Sequence, residues 1–254
     1  MRNLGVMLLS GGLDSTTVAT YAMKKGYELA AITLQYGQKH SKELEAAKKI
    51  ADVLGIKHET FDVSFFGKIA WYSALTTPGS FDVPKMRSRE DLAGDIPVTY
   101  VPLRNTFFIT IAAAFLESLV LNLIERGDED PGNINSSLFI AANAIDYSGY
   151  PDCRPKYYRE MVKTLALGSK LGTQYRRKIK IETPVINKTK AEIVKMAMEL
   201  GAPLEYTWSC YEGGVIPCGS CDSCILRAKG FAEAGYEDPL LTRLRENANI
   251  AKGE

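Results

Sequence analysis

Apolar runs of strand length alternate along this chain with longer segments of helical pattern, and that alternation restricts the fold more than any other feature. Candidate strands are Leu4–Leu9, Leu29–Leu34, His58–Val63, Thr99–Pro102, Leu138–Ala142 and Ile179–Pro184. Candidate helices are Ser15–Lys25, Ser41–Leu54, Asn105–Ile124, Lys156–Leu171, Lys190–Leu200 and Cys221–Ala234. Such alternation predicts an α/β fold, a doubly wound parallel sheet covered by helices on both faces. In that architecture ligands bind beyond the carboxyl ends of the strands. The loops "SGGLDS", "QYGQKH", "VPLRN", "AANAIDYSGYPDCR" and "TPVINKTK" therefore carry the functional expectation.

The first of these loops is the most informative. In "LLSGGLDSTT" (Leu8–Thr17) an apolar strand stops at two glycines and hydroxyl-bearing residues open a helix. The glycines let backbone N–H groups approach an anion, and the helix N-terminus adds unpaired amides and the positive end of its dipole. A Walker loop would end in a Lys that draws charge to the β- and γ-phosphates; here that Lys is missing and Asp14 sits in the loop. A carboxylate beside phosphates calls for a bridging divalent cation, which implies Mg²⁺. The chemistry expected is release of pyrophosphate as a unit, with AMP left on the substrate. The loop resembles the SGGxDS loop of the ATP-pyrophosphatase (PP-loop) group, the Rossmann-like adenine nucleotide α-hydrolase-like enzymes. On that resemblance Leu9, Ser10, Gly11, Gly12, Leu13, Asp14, Ser15, Thr16 and Thr17 bind ATP.

Composition narrows the class. Thirty-one basic and thirty acidic residues leave a formal charge of +1, so no global basic field points to nucleic acid. "YRRKIK" (Tyr175–Lys180) is a local cluster, read as a solvated strand entry. The apolar start is too short for a signal peptide, and "FFITIAAAFLESLVLNLI", interrupted by Glu117 and Asn122, reads as a buried helix and not a membrane span. A cytoplasmic protein is expected, where five cysteines point to metal or chemistry before disulfides. Two stretches break the pattern. Thr76–Pro97 is either a lid over a site or a disordered connector, and the polar Glu125–Ser137 reads as a surface insertion.

Four of the cysteines, Cys210, Cys218, Cys221 and Cys224, lie in "SCYEGGVIPCGSCDSC". Two consecutive two-residue spacings and one thiolate upstream can wrap a tetrahedral ion, so a closed, structural Zn²⁺ site is expected. An iron–sulfur cluster is the rival, but the ferredoxin pattern continues to a Cys-Pro that is not found here. The division expected is an α/β domain over residues 1–204 and a four-cysteine helical segment over 205–254 packed on it. Cys153 is either a small buried residue or part of a substrate pocket.

Taken in order, "LQYGQKHSKELEAA", "YVPLRNTFF", "AIDYSGYPDCRPKYY", "ETPVINKTKAEI" and "TWSCYEGG…CGSCDSCILRAKGF" resemble the 7-cyano-7-deazaguanine synthase family, which makes the nitrile precursor of queuosine and archaeosine. The resemblance spans nearly the whole chain. "AANAID" stands where some members have an acidic "ETD", and the Glu125–Ser137 stretch is longer than the connection expected. What the resemblance implies is ATP-dependent conversion of 7-carboxy-7-deazaguanine and ammonia to the nitrile through adenylated carboxylate and amide. Small-molecule substrates, no stable nucleic-acid partner, no membrane and a homodimer also follow from it. Asp14, Arg104 and Lys190 are then the catalytic candidates: Asp14 for the cation, the two bases for charge growing on phosphate or acyl oxygen. Asp146, Tyr147, Tyr150, Asp152 and Arg154 would take the base, offering acceptors, flat faces and a cation. His40 and His58 receive no catalytic role. A PP-loop enzyme acting on tRNA, a relative attaching a deazaguanine to a protein, and a non-enzymatic nucleotide or zinc module are the alternatives.

Overall fold

The computed structural model describes residues 1–36, 42–73, 76, 96, 100–145 and 150–250. Its centre is a five-stranded, all-parallel sheet in the order β3-β2-β1-β4-β5. The strands are β1 (Arg2–Leu8), β2 (Glu28–Gln35), β3 (Lys57–Asp62), β4 (Ile134–Phe139) and β5 (Lys180–Glu182). The order reverses between β1 and β4, the switch point at which a doubly wound sheet opens a crevice. Helices among the described residues are α1 (Leu13–Lys24), α2 (Lys42–Leu54), α3 (Phe65–Ile69), α4 (Arg104–Gly127), α5 (Pro155–Gly168), α6 (Lys170–Thr173), α7 (Lys190–Leu200), α8 (Asp222–Ala234) and α9 (Pro239–Ile250).

Strand alternation divides the core into two halves. Leu4 and Val6 of β1 face the layer built on α4 and α5, with Ile109, Leu116 and Met161. Met7 faces the other layer, with Val18 of α1, Ile50 of α2, Ile193 of α7 and Phe231 of α8. That second layer also takes in Trp208, Cys210, Cys224 and Leu240, so the cysteine-bearing segment shares its core with the sheet.

Several boundaries differ from the sequence expectation. Tyr100–Pro102 form no strand; Leu103 takes a left-handed backbone (φ 55) and the chain turns straight into α4. Glu125–Ser137 is a surface stretch only in its middle: Glu125–Gly127 complete α4, Asp128, Asp130, Gly132 and Asn133 are exposed, and Ile134–Ser137 lie in β4, inside the sheet. Ser136 and Ser137 are small enough to be buried between neighbouring strands, and Ser137 Oγ lies 3.2 Å from Tyr27 Oη. The segment predicted as one helix from Lys156 breaks at Ser169, whose hydroxyl accepts from Gly172 N–H and caps α6. α4 buries one face, not its circumference. Although long and apolar enough by composition to span a membrane, it packs on β1 and β4, and 28% of its most apolar window is buried.

The C-terminal helices are joined by a buried ion pair. Arg227 Nε and Nη2 donate to Asp238 Oδ2 and Oδ1 at 2.6 and 2.8 Å, and Nη1 donates to Thr207 Oγ1 at 2.9 Å. Both side chains are under a tenth exposed. Asp238→Ala would strand a guanidinium in the core; the expected loss is about 3–5 kcal/mol, read as a Tm lower by about 10 °C in thermal unfolding.

Candidate active site

The carboxyl end of β1 is pinned before the first loop begins. Leu9 N–H donates to Ile32 O at 2.9 Å, and Leu9 O accepts from Thr33 Oγ1 at 2.6 Å. Thr33 Oγ1 also lies 2.7 Å from His58 Nε2, and burial lowers the His58 pKa. Gly11 then takes φ +80, and any Cβ there would collide with Glu43 O and come within 2.7 Å of Ala47 N. Only glycine lets the backbone of α2 rest on the loop in this way. Gly12 is the N-cap of α1, so the helix starts two residues earlier than Ser15, at Leu13. The first helical bond runs from Thr16 N to Gly12 O at 3.1 Å. The amides of Leu13, Asp14 and Ser15 precede it and have no intrahelical acceptor.

The hydroxyls of the loop divide into two kinds. Ser10 is exposed, lies 3.0 Å from Ser15 Oγ, and accepts from Gly12 N–H at 3.3 Å. Thr16 and Thr17 have no exposed surface and donate at 2.8 Å to the carbonyls of Gly12 and Leu13. Their hydroxyls serve the helix backbone, not the loop face.

The cation missing from the loop is brought from elsewhere. A capping box of Thr189 and Glu192 starts α7 and fixes Lys190 as its first residue. Lys190 Nζ reaches Asp14 Oδ1 and Oδ2 at 2.8 and 2.7 Å, with both side chains less than a fifth exposed. At a helix N-terminus a cation is unfavourable with respect to the dipole, and the carboxylate opposite offsets this. Asn143, after β4, holds the preceding turn by donating to Val185 O and Lys188 O at 3.3 and 2.6 Å.

A second group of residues gathers at the start of α4. The Arg104 guanidinium lies 5.9 Å from the Tyr36 ring. Burial opposes its charge, but Tyr36, Tyr150 and Asp152 more than compensate and raise its pKa. Asp152 is buried; burial raises its pKa, Arg104 pulls it down, and its Oδ1 has no hydrogen-bond partner. Beside it, burial pushes the Cys153 thiol up to about 11, which keeps it neutral. Tyr150 is half-buried, 6.1 Å from the Tyr100 ring. Arg154 is exposed at the N-cap of α5. Asp146, Tyr147 and His40, and all of Thr76–Pro97 except Thr76 and Ile96, lie outside the described residues.

The Sγ atoms of Cys210, Cys218, Cys221 and Cys224 lie within 4.8 Å of one another and can hold a metal ion. Cys218 and Cys224 are 4.0 Å apart, close to the roughly 3.8 Å edge of a tetrahedral zinc–thiolate site. The Ser220 hydroxyl and the amides of Ser220 and Cys221 point at Cys218 Sγ and bring its pKa down to about 6. The segment is latched to the loop: Trp208 N–H donates to Gly11 O at 2.8 Å, and Trp208 Nε1 donates to Cys210 O at 3.0 Å.

Residues 4–235 match the family model described as queuosine biosynthesis protein QueC. The chain belongs to the QueC family. Among curated relatives of this QueC-family chain, the 7-cyano-7-deazaguanine synthase of Thermoplasma acidophilum is 48% identical, over 94% of this chain and 92% of the relative. That of Picrophilus torridus is 48% identical over 92% and 90%, and that of Desulfatibacillum aliphaticivorans 46% over 92% and 94%. Among solved structures, NMN synthetase from Francisella tularensis aligns at 16% identity and a TM-score of 0.39, covering 93% of this chain and 78% of that one.

Sequence reasoning about this QueC-family chain missed Tyr36, Trp208 and Glu43. Tyr36 directly follows β2 and was readable as a post-strand residue; Trp208 and Glu43 carry no local signal, since only tertiary packing brings them to the loop. Burial pushes the Glu43 carboxyl up to about 7, against the opposing pull of Arg104. A carboxyl whose folded pKa is raised contributes its full stability below the unfolded value and loses it as pH climbs toward the folded one. Glu43→Gln is therefore expected to shrink the stability lost between about pH 5 and about pH 8 by on the order of 1 kcal/mol, measured by thermal unfolding at both pH values.

Proposed function

We propose that this chain is a 7-cyano-7-deazaguanine synthase, an ATP-dependent carbon–nitrogen ligase. The names of relatives at 42–48% identity across more than nine-tenths of the chain support this. The structural observation that carries it is the orphaned oxygen of Asp152. A buried carboxylate oxygen without a donor is costly, and the N–H-rich edge of a deazaguanine supplies donors. Tyr150, and Asp146 and Tyr147 in the adjoining loop, would complete the base pocket, with Arg154 toward the substrate carboxylate.

The diphosphate of ATP belongs on the amides of Leu13, Asp14 and Ser15, with Ser10, Gly11 and Gly12 forming the rest of the cradle. Asp14 would hold Mg²⁺, which would offset the negative charge of the phosphates. The substrate carboxylate attacks the α-phosphorus, pyrophosphate leaves, and an acyl adenylate forms. Ammonia displaces AMP to give the amide. The amide oxygen is adenylated by a second ATP with loss of pyrophosphate, and loss of a proton and AMP leaves the nitrile. Lys190 and Arg104 stabilise the negative charge that builds during each displacement.

The four cysteines suit Zn²⁺: the donors are all sulfur, amides point at the thiolates, and no coordination position is left open. The metal then has a structural role, and reduced thiols of this kind suit a cytoplasmic setting. A homodimer is the reading that the family resemblance carries.

Two experiments test the reading. Incubation with ATP, ammonia and 7-carboxy-7-deazaguanine should yield the nitrile by mass spectrometry, with AMP and pyrophosphate; ADP and orthophosphate would refute it. Asp14→Asn should lower AMP formation at least about a hundredfold in a protein that still folds. Separately, stripping the metal with a chelator should lower the Tm well beyond the effect of any slowed turnover, because metal-binding free energy is folding free energy. An unchanged Tm would remove the structural role.

A further inference from the structure

Lys190 does not reach Asp14 by its own helix alone. Its side chain passes over Gly230 in the middle of α8, where a Cβ would lie 3.0 Å from Lys190 Cβ, 3.3 Å from its backbone carbonyl carbon, and closer still to Cγ. Gly230 is buried, and α7 and α8 pack closely along this contact. A glycine inside a helix forfeits helix propensity, so its place here needs a reason, and no turn requires it: Gly235, not Gly230, closes α8 in the left-handed conformation. One turn earlier, on the same buried face of the helix, Arg227 makes its ion pair, and Cys224 stands at the helix start among the clustered thiols. α8 is therefore held at both its first turn and its middle, and cannot retreat to make room for a side chain.

We infer that Gly230 is a positioning residue: the missing side chain on the rigid α8 is what lets the first two methylenes of Lys190 lie flat, so that its ammonium arrives at the diphosphate end of the nucleotide site. This rests on the role given to Lys190 above. The base pocket around Arg104 and Asp152 belongs to other elements, α4 and the turn before α5, and is untouched by the contact.

The test is a double-mutant cycle read in steady-state kinetics. Gly230→Ala should lower kcat by about tenfold or more, since misplacing a catalytic group by an ångström is that costly, while KM for 7-carboxy-7-deazaguanine stays within about twofold. In a Lys190→Ala background, where Cγ is gone, Gly230→Ala should cause no further loss beyond about twofold. Parental kcat in Gly230→Ala, a rise in KM that accounts for the loss, or an equal loss in the Ala background would each overturn the inference. If Gly230→Ala fails to fold, the double variant should fold again; a double variant that also fails would place the clash elsewhere and overturn it. Parental turnover in Lys190→Ala alone is a different result: it removes the role of Lys190, and the inference falls with it.

Discussion

The hydrogen bond from Trp208 N–H to the Gly11 carbonyl joins the C-terminal third of the chain to the loop that follows the first strand. With it the loop is held on both sides: Gly11 presses against the backbone of Glu43 and Ala47, and its carbonyl is tied to the segment that carries the cysteines. Pre-organised amides are effective toward an anion because they need not be moved into place when charge develops. The latch keeps those amides pointed outward while the side chains of Thr16 and Thr17 stay with the helix.

Charge is arranged in two groups. Lys190 and Asp14 form a mostly buried pair at the loop. Arg104 lies among tyrosines and the Asp152 carboxyl, in surroundings that keep it charged despite burial. The two cations are supplied by the first residues of α7 and α4.

Much of this was legible in the residues. The strand–helix alternation predicted the parallel sheet, "SGGLDS" the loop, and the spacing of four cysteines the thiol cluster, because each rests on local chemistry or on periodicity. Three features escaped. The first half of β4 reads as a polar insertion because Asn135, Ser136 and Ser137 follow Ile134, and the burial of the two serines depends on neighbouring strands and not on their own character. Tyr100–Pro102 has strand composition but runs directly into the left-handed turn at Leu103. The partnership of Lys190 with Asp14 spans 176 residues, and no local pattern encodes it.

The contact between Thr33 and His58 has a consequence for proton accounting. A hydroxyl has one hydrogen, and that of Thr33 is committed to the Leu9 carbonyl, which can only accept. The imidazole must then be the donor through Nε2, leaving any lone pair on Nδ1. Gaining a second proton would not break this bond, and losing none keeps the ring a fastener. His58 thus locks the end of β1 as a fixed tautomer, and the lone pair that a general base would need faces away from the strand it secures.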